Sequence, residues 1–262
     1  MEMQSLHVLV INYQYNSTIL LLDFLYVGWA MQLLFFIFLK RDKESNENYL
    51  KLMLDYYIHC KYPLQLLIFP EGTDLTSRHK RDSDDYARKN GLTEYNYVLH
   101  PRTKGFITCI NHLREELKMV IDIDVAYRGP IPQNICDILI GKWPTEVHFR
   151  IRQYSLTGLP GDDDGLKTWL NSCWAEKEGR LEQFYKEGKF NKYSVEGKRP
   201  LKTTIEMSFI LLLWISIFVI VLYQFYTVNV WFIVYTVATW LFFLTIDRCF
   251  GGFDDFVLWI YI

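Results

Sequence analysis

Apolar positions along this chain follow three rhythms, and each predicts a different kind of element. Between Glu44 and His59, Leu50, Met53, Leu54 and Tyr57 recur at helical spacing on an otherwise polar segment, which predicts an amphipathic helix. Leu64 to Phe69 is a short continuous apolar run closed by Pro70 and reads as a strand, because proline removes a ladder donor. Asp122 to Tyr127 reads as a strand closed by Gly129-Pro130, and Glu146 to Tyr154 as an alternating one. Thr76 to Asn90 is a charged helix or loop ending at Gly91, a plausible left-handed cap. Phe106 to Leu117 and Leu166 to Tyr185 complete the helices of this part. The succession of helices and short strands predicts an α/β fold with a mixed or parallel sheet flanked by helices.

The third rhythm is continuous apolarity. Ile205 to Ile246 is nearly uncharged and long enough for two membrane spans of about 20 residues each. Gln224, Thr227 and Asn229 form the one polar cluster at its middle, so a transmembrane helical hairpin is expected, with one long kinked helix as the alternative. Lys198, Arg199 and Lys202 precede it and place the preceding domain on the cytosolic side. The segment Ile19 to Leu39 is ambiguous: its apolarity suits a third span, whereas Asp23 and Gln32 favour a buried helix running into a strand. The resulting division is a domain over residues 1–197, two spans over 198–246 and a tail over 247–262.

Composition agrees with a soluble-type domain joined to membrane segments. The 262 residues are 50% hydrophobic, 17% aromatic and 22% charged, with a formal net charge of −2. That charge gives no footprint for nucleic acid. The five cysteines, Cys60, Cys109, Cys136, Cys173 and Cys249, are widely spaced and without a CxxC pair, which argues against a disulfide framework or a metal site.

Candidate chemistry concentrates in Phe69-Pro70-Glu71-Gly72-Thr73-Asp74, where a strand delivers a proline-fixed turn, a carboxylate, a glycine and a hydroxyl to the end of a sheet. This stretch resembles the FPEGT motif of the glycerophospholipid (1-acylglycerol-3-phosphate type) acyltransferases. Further matching stretches are Gly28 to Gln32, Phe36 to Arg41, Pro63 to Asp74, Tyr97 to Phe106, Asp124 to Tyr127, Trp174 to Glu178 and Phe250 to Gly252, and the Asp74 that ends the motif points to the lysocardiolipin and lysophosphatidylinositol acyltransferase branch. The resemblance implies transfer of an acyl group from acyl-CoA, a co-substrate, to a lysophospholipid hydroxyl. It implies no cofactor and no metal, and a multi-pass location in the endoplasmic reticulum or another endomembrane. Arg41 would then hold the acceptor's phosphate through paired guanidinium donors. Glu71, Gly72 and Thr73 would line the same site, and Arg102 and Lys104 would contact phosphate or CoA.

The chain departs from the family's first motif, a histidine and an aspartate four residues apart after an asparagine. Val8 to Asn12 resembles the approach to it, but Tyr13 and Thr18 stand where the histidine and aspartate belong, and the stretch to Gly28 is short. A tyrosine stays protonated at neutral pH and does not replace a general base. His79 to Asp84 fits the spacing in a charged stretch with no strand before it, and His7 to Asn12 fits it without a carboxylate. The expectation is an acyltransferase impaired as written, the alternatives being a non-catalytic lipid-binding or regulatory relative, or a truncated isoform.

Overall fold

The computed structural model describes residues 6–11, 36–38, 43–61, 64–132, 135–190, 201–227 and 229–261. They fall into two compact units, residues 6–11 and 36–190 in one and 201–261 in the other. The ambiguous segment Ile19 to Leu39 lies outside the described residues apart from a two-residue strand within it.

In the first unit, β1 (Leu6–Ile11) is the central strand of a parallel three-stranded sheet, with β2 (Ile37–Phe38) on one side and β3 (Leu64–Ile68) on the other. The register pairs Leu6 with Leu64 and Val10 with both Ile68 and Ile37. Between β2 and β3 runs α1 (Lys43–His59), whose Leu50, Met53, Leu54 and Tyr57 are the buried stripe that their spacing predicts. After β3 the chain turns into α2 (Ser77–Asn90), capped by the Thr76 hydroxyl, which accepts the His79 N–H at 3.3 Å, and ended by Gly91 at φ 63°. α3 (Thr103–His112) follows, packing against α1, and the His112 ring meets Asp55 at 2.7 Å.

The remaining strands are not part of the parallel sheet. β4 (Met119–Arg128) and β5 (Glu146–Ser155) form a separate antiparallel ribbon, paired from Met119 with Ser155 to Arg128 with Glu146. A short α4 (Ile135–Leu139) joins them. Both strands are longer than the apolar pattern suggests, because antiparallel pairing extends a ladder through polar residues as readily as apolar ones. The long α5 (Asp163–Glu187) lies on one face of the ribbon. Asp162 caps it by accepting the Gly165 N–H at 2.9 Å, and Gly188 at φ 77° ends it.

The core forms where α5 meets the ribbon and α3. Leu166, Leu170, Cys173, Trp174, Leu181 and Phe184 supply one stripe of α5, and Val98, Phe106, Ile110, Ala126, Leu156 and Leu159 close over it. Leu166 and Ala126 are wholly inaccessible to solvent.

The second unit is helical. α6 (Leu201–Tyr226) and α7 (Val230–Phe250) are both long and apolar enough to cross a membrane. The polar cluster that the sequence places between them makes the turn: Asn229 caps α7 by accepting the Phe232 N–H at 3.2 Å and donates to Gln224 Oε1 at 3.0 Å. The chain ends in α8 (Phe253–Tyr261), a helix where the sequence reading has only a tail.

Leu166 makes the core testable. Leu166→Ala removes a fully buried side chain and is expected to cost about 2–5 kcal/mol. Guanidinium unfolding of the micelle-solubilised chain, followed by tryptophan fluorescence, should show a clearly lowered midpoint.

Candidate functional site

The end of β3 fixes the geometry of the candidate site. Phe69 accepts the Gly72 N–H at 2.9 Å, closing a tight turn over Pro70 and Glu71. Gly72 holds φ 71°, a left-handed conformation that a β-carbon would strain, so the glycine of the motif is required by the turn itself.

Glu71 points into the domain. One carboxylate oxygen accepts the Leu99 N–H at 3.1 Å and the other the Trp174 indole N–H at 3.3 Å. Burial pushes this carboxyl above its usual range, and the two donors pull it down more weakly. The motif carboxylate therefore binds the turn to the segment before α3 and to α5.

That segment, Asn96 to Arg102, has no regular structure, yet its backbone donors are taken up almost one by one. Glu178 accepts from the N–H groups of Asn96, Tyr97 and Val98 at 2.6, 2.9 and 3.2 Å. Glu71 takes Leu99, the Ser83 hydroxyl takes His100 at 3.1 Å, Pro101 has no N–H, and the Pro70 carbonyl takes Arg102 at 2.7 Å. The His100 ring stacks on Tyr95 with centroids 4.2 Å apart, and its Nδ1 lies 3.0 Å from Ser83 Oγ. Burial holds this imidazole below its usual pKa. A loop tied at this many points presents Arg102 and the start of α3 in one fixed pose beside the Glu71 turn.

The other candidate residues are placed as follows. The Thr73 hydroxyl lies 3.0 Å from His79 Nδ1, and the same nitrogen meets an Asp74 carboxylate oxygen at 3.0 Å and the Thr76 hydroxyl at 3.0 Å. His79 thus pairs with Asp74, while Asp84 pairs with Lys80 at 2.8 Å, so the His79-to-Asp84 spacing forms no dyad. Lys104 is exposed and paired with Glu47 at 2.9 Å, and Lys104 and Lys51 together hold the Glu47 carboxyl down to about 2. The Arg102 side chain is exposed. Arg41, Tyr13 and Thr18 lie outside the described residues. No cluster of three or more histidine, cysteine or acidic groups suited to a metal occurs among the described residues.

Trp174, Glu178 and Ser83 take part without having been singled out for these roles. Trp174 and Glu178 are four residues apart and so share one helix face. Both fall in Trp174 to Glu178, one of the stretches that carry the resemblance, and an indole N–H and a carboxylate on one face of a core helix were the available signal.

Residues 137–210 match the family model for the acyltransferase C-terminus. Lysocardiolipin acyltransferase 1 of Mus musculus is 48% identical over 160 residues, 60% of this chain and 43% of the mouse protein. Lysophosphatidylinositol acyltransferase 10 of Caenorhabditis elegans is 36% identical over 163 residues, 61% of this chain and 42% of the worm protein. The gamma 1-acyl-sn-glycerol-3-phosphate acyltransferase of Mus musculus is 30% identical over 168 residues, 63% of this chain and 43% of that protein. The chain thus spans less than half the length of these curated relatives. No solved structure matches it.

The role of Glu71 in joining the turn to the loop gives a pH signature. Because its folded-state pKa is raised, its protonated form favours folding, and that contribution is lost as pH rises from the unfolded value of 4.5 through the folded one. Glu71→Gln, neutral at every pH, should flatten the difference in melting temperature across this window. Glu71→Ala strands two buried donors and should cost about 1–3 kcal/mol at all pH values. Melting curves of the two variants between pH 4 and 8 separate these behaviours.

Proposed function

We propose that this chain, a homologue of the lysocardiolipin, lysophosphatidylinositol and 1-acylglycerol-3-phosphate acyltransferases, is a membrane-bound lysophospholipid acyltransferase of the acyl-CoA-dependent type. The observation that carries the reading is the join between two motif segments distant in sequence. The Phe-Pro-Glu-Gly-Thr turn grips the loop ahead of Arg102 through Glu71 and through the Pro70 carbonyl. A phosphate-bearing substrate at the end of β3 would meet a rigid turn, an exposed guanidinium and the first turn of α3. Arg102 suits that substrate because its planar donors match a phosphate. Lys104 supplies a second cation near the same helix start, tempered by Glu47. Arg41 is proposed for the acceptor's phosphate, with Gly72 and Thr73 beside it.

The chemistry such a site needs is removal of a proton from the acceptor hydroxyl as its oxygen attacks the thioester carbonyl and the CoA thiol departs. With Tyr13 and Thr18 at the positions of the family's base and its orienting carboxylate, turnover by this chain is proposed to be slow, since losing a general base costs roughly 10²–10⁴-fold. A second reading follows from the same two residues: a relative that binds lysophospholipid or acyl-CoA without turning them over. Both readings place the chain in the endoplasmic reticulum or another endomembrane, with the domain in the cytosol.

Two experiments test this. The first supplies the purified chain, in lipid micelles, with labelled acyl-CoA and a panel of lysophospholipids, and measures turnover and equilibrium binding. Binding with slow turnover is expected, Tyr13→His with Thr18→Asp should restore little if the chain is a truncated isoform that lacks the segment around that motif, and Arg102→Ala should weaken binding about ten-fold or more, the worth of a charge-assisted hydrogen bond. No binding of any lysophospholipid or acyl-CoA would sink both readings. The second places asparagine glycosylation acceptors ahead of Leu201 and after Ile262. If α6 and α7 form a membrane hairpin, both sites share one side and neither is glycosylated.

A further inference from the structure

The ribbon β4–β5 is inside out for a protein surrounded by water. An antiparallel pair with a helix on one face should turn apolar side chains toward the helix and polar ones toward solvent. Here the alternation runs the other way in the middle of the ribbon, between Val120 and Tyr154 at one end and Ala126 at the other, which join the core. Toward α5 point Asp122, Asp124, Arg150 and Arg152, and they are neutralised there. Lys177 reaches Asp122 at 2.8 Å and Asp124 at 3.1 Å, Arg180 reaches Asp124 at 2.6 Å, and Arg152 bridges Asp122 at 2.9 Å and Glu176 at 2.7 Å. Asp124 is 1% exposed.

The opposite face carries the apolar side chains. Cross-strand partners Ile123 and Ile151, Val125 and Phe149, and Tyr127 and Val147 lie side by side on it, with Ile121 and Met119 continuing the row toward Gln153 and Ser155. Phe149 is 62% and Ile151 60% exposed. At these exposures the face amounts to on the order of 500 Å², the upper end of what monomeric soluble proteins leave uncovered. Leu139, Ile140 and Trp143, in the connection at the Arg128 and Glu146 end of the ribbon, are also exposed.

We infer that the outward face of β4–β5, centred on Phe149 and Ile151, is a lipid-contacting surface that rests on the bilayer. Three observations select lipid as the occupant. Sinking four charged side chains into contact with a helix costs desolvation that apolar residues would avoid, and the arrangement makes sense where the other face meets something more apolar than water. The outward positions of both strands from Met119 to Tyr127 and from Val147 to Ser155 include no charged residue, as an inserted face requires. The same chain carries two helices of membrane-spanning length after α5. That tether would hold a bilayer at high effective concentration next to the domain, whereas a second copy would have to be recruited from dilution. Trp143 suits the headgroup level, where amphipathic rings collect.

The inference rests on the membrane-bound part of the proposed function and not on turnover. Its test replaces Phe149 with a photo-reactive benzophenone amino acid in the full chain, reconstituted in phosphatidylcholine vesicles containing a radiolabelled phospholipid. The same replacement at Lys89, exposed on α2, is the control. Both positions are on the surface, so both proteins should fold. Irradiation should yield a lipid adduct several-fold stronger at 149 than at 89, and Ile151→Asp in the 149 background should reduce it. An adduct no stronger than the control, or a covalent dimer of the chain in its place, would overturn the assignment. Lipid adduct without lysophospholipid binding in the micelle assay would leave this surface standing and remove the enzymatic reading alone.

Discussion

Satisfying the backbone of one irregular segment organises the domain. Residues 96 to 102 form neither helix nor strand, so their amide donors have no ladder to join, and leaving them unpaired in a packed interior would cost about 1–3 kcal/mol apiece. Two carboxylates, a hydroxyl and a carbonyl meet that demand, and they come from three separate places: α5, α2 and the turn after β3, which supplies both Glu71 and the Pro70 carbonyl. The need to pair these amides therefore sets the distance between α5 and the parallel sheet. A carboxylate serves because its two oxygens can each accept more than one donor, which lets Glu178 gather three amides at once.

The Phe-Pro-Glu-Gly-Thr turn looks different in this light. Its glutamate is spent on architecture, with both oxygens engaged by protein donors. Its glycine is spent on backbone curvature, and its threonine faces the His79 and Asp74 cluster at the start of α2. What the turn offers outward is shape and the neighbouring cations.

Much of this was legible in the sequence, and for physical reasons. The α1 stripe, the β3 strand with its proline stop, the Gly91 cap and the hairpin break at Gln224 to Asn229 all depend on local chemistry: spacing, a missing N–H, a left-handed glycine, an amide side chain that caps. The ribbon was not legible as a separate sheet. Asp122, Asp124, Arg150 and Arg152 look solvent-facing in any alternation rule, and only Lys177 and Arg180, on a different element, reveal that they face inward. Burial disfavours the charged form of Asp122, yet Lys177 and Arg152 outweigh it and keep the carboxyl below its usual range. Likewise nothing in Asn96 to Leu99 announces that the first three amides are read by Glu178, far along the chain, and the fourth by Glu71 before it, since backbone donors leave no trace in residue identity.

The end of α5 carries a consequence for how such sequences vary. Gly188 sits at positive φ, its carbonyl accepts from Arg128 Nη2 at 2.7 Å, and any β-carbon there would collide with that guanidinium. The two positions form one coupled unit although 60 residues separate them. A side chain at 188 would push the flexible end of Arg128 off the 188 carbonyl and would still be strained at φ 77° with a shorter residue at 128, so it is the backbone that confines position 188 to glycine.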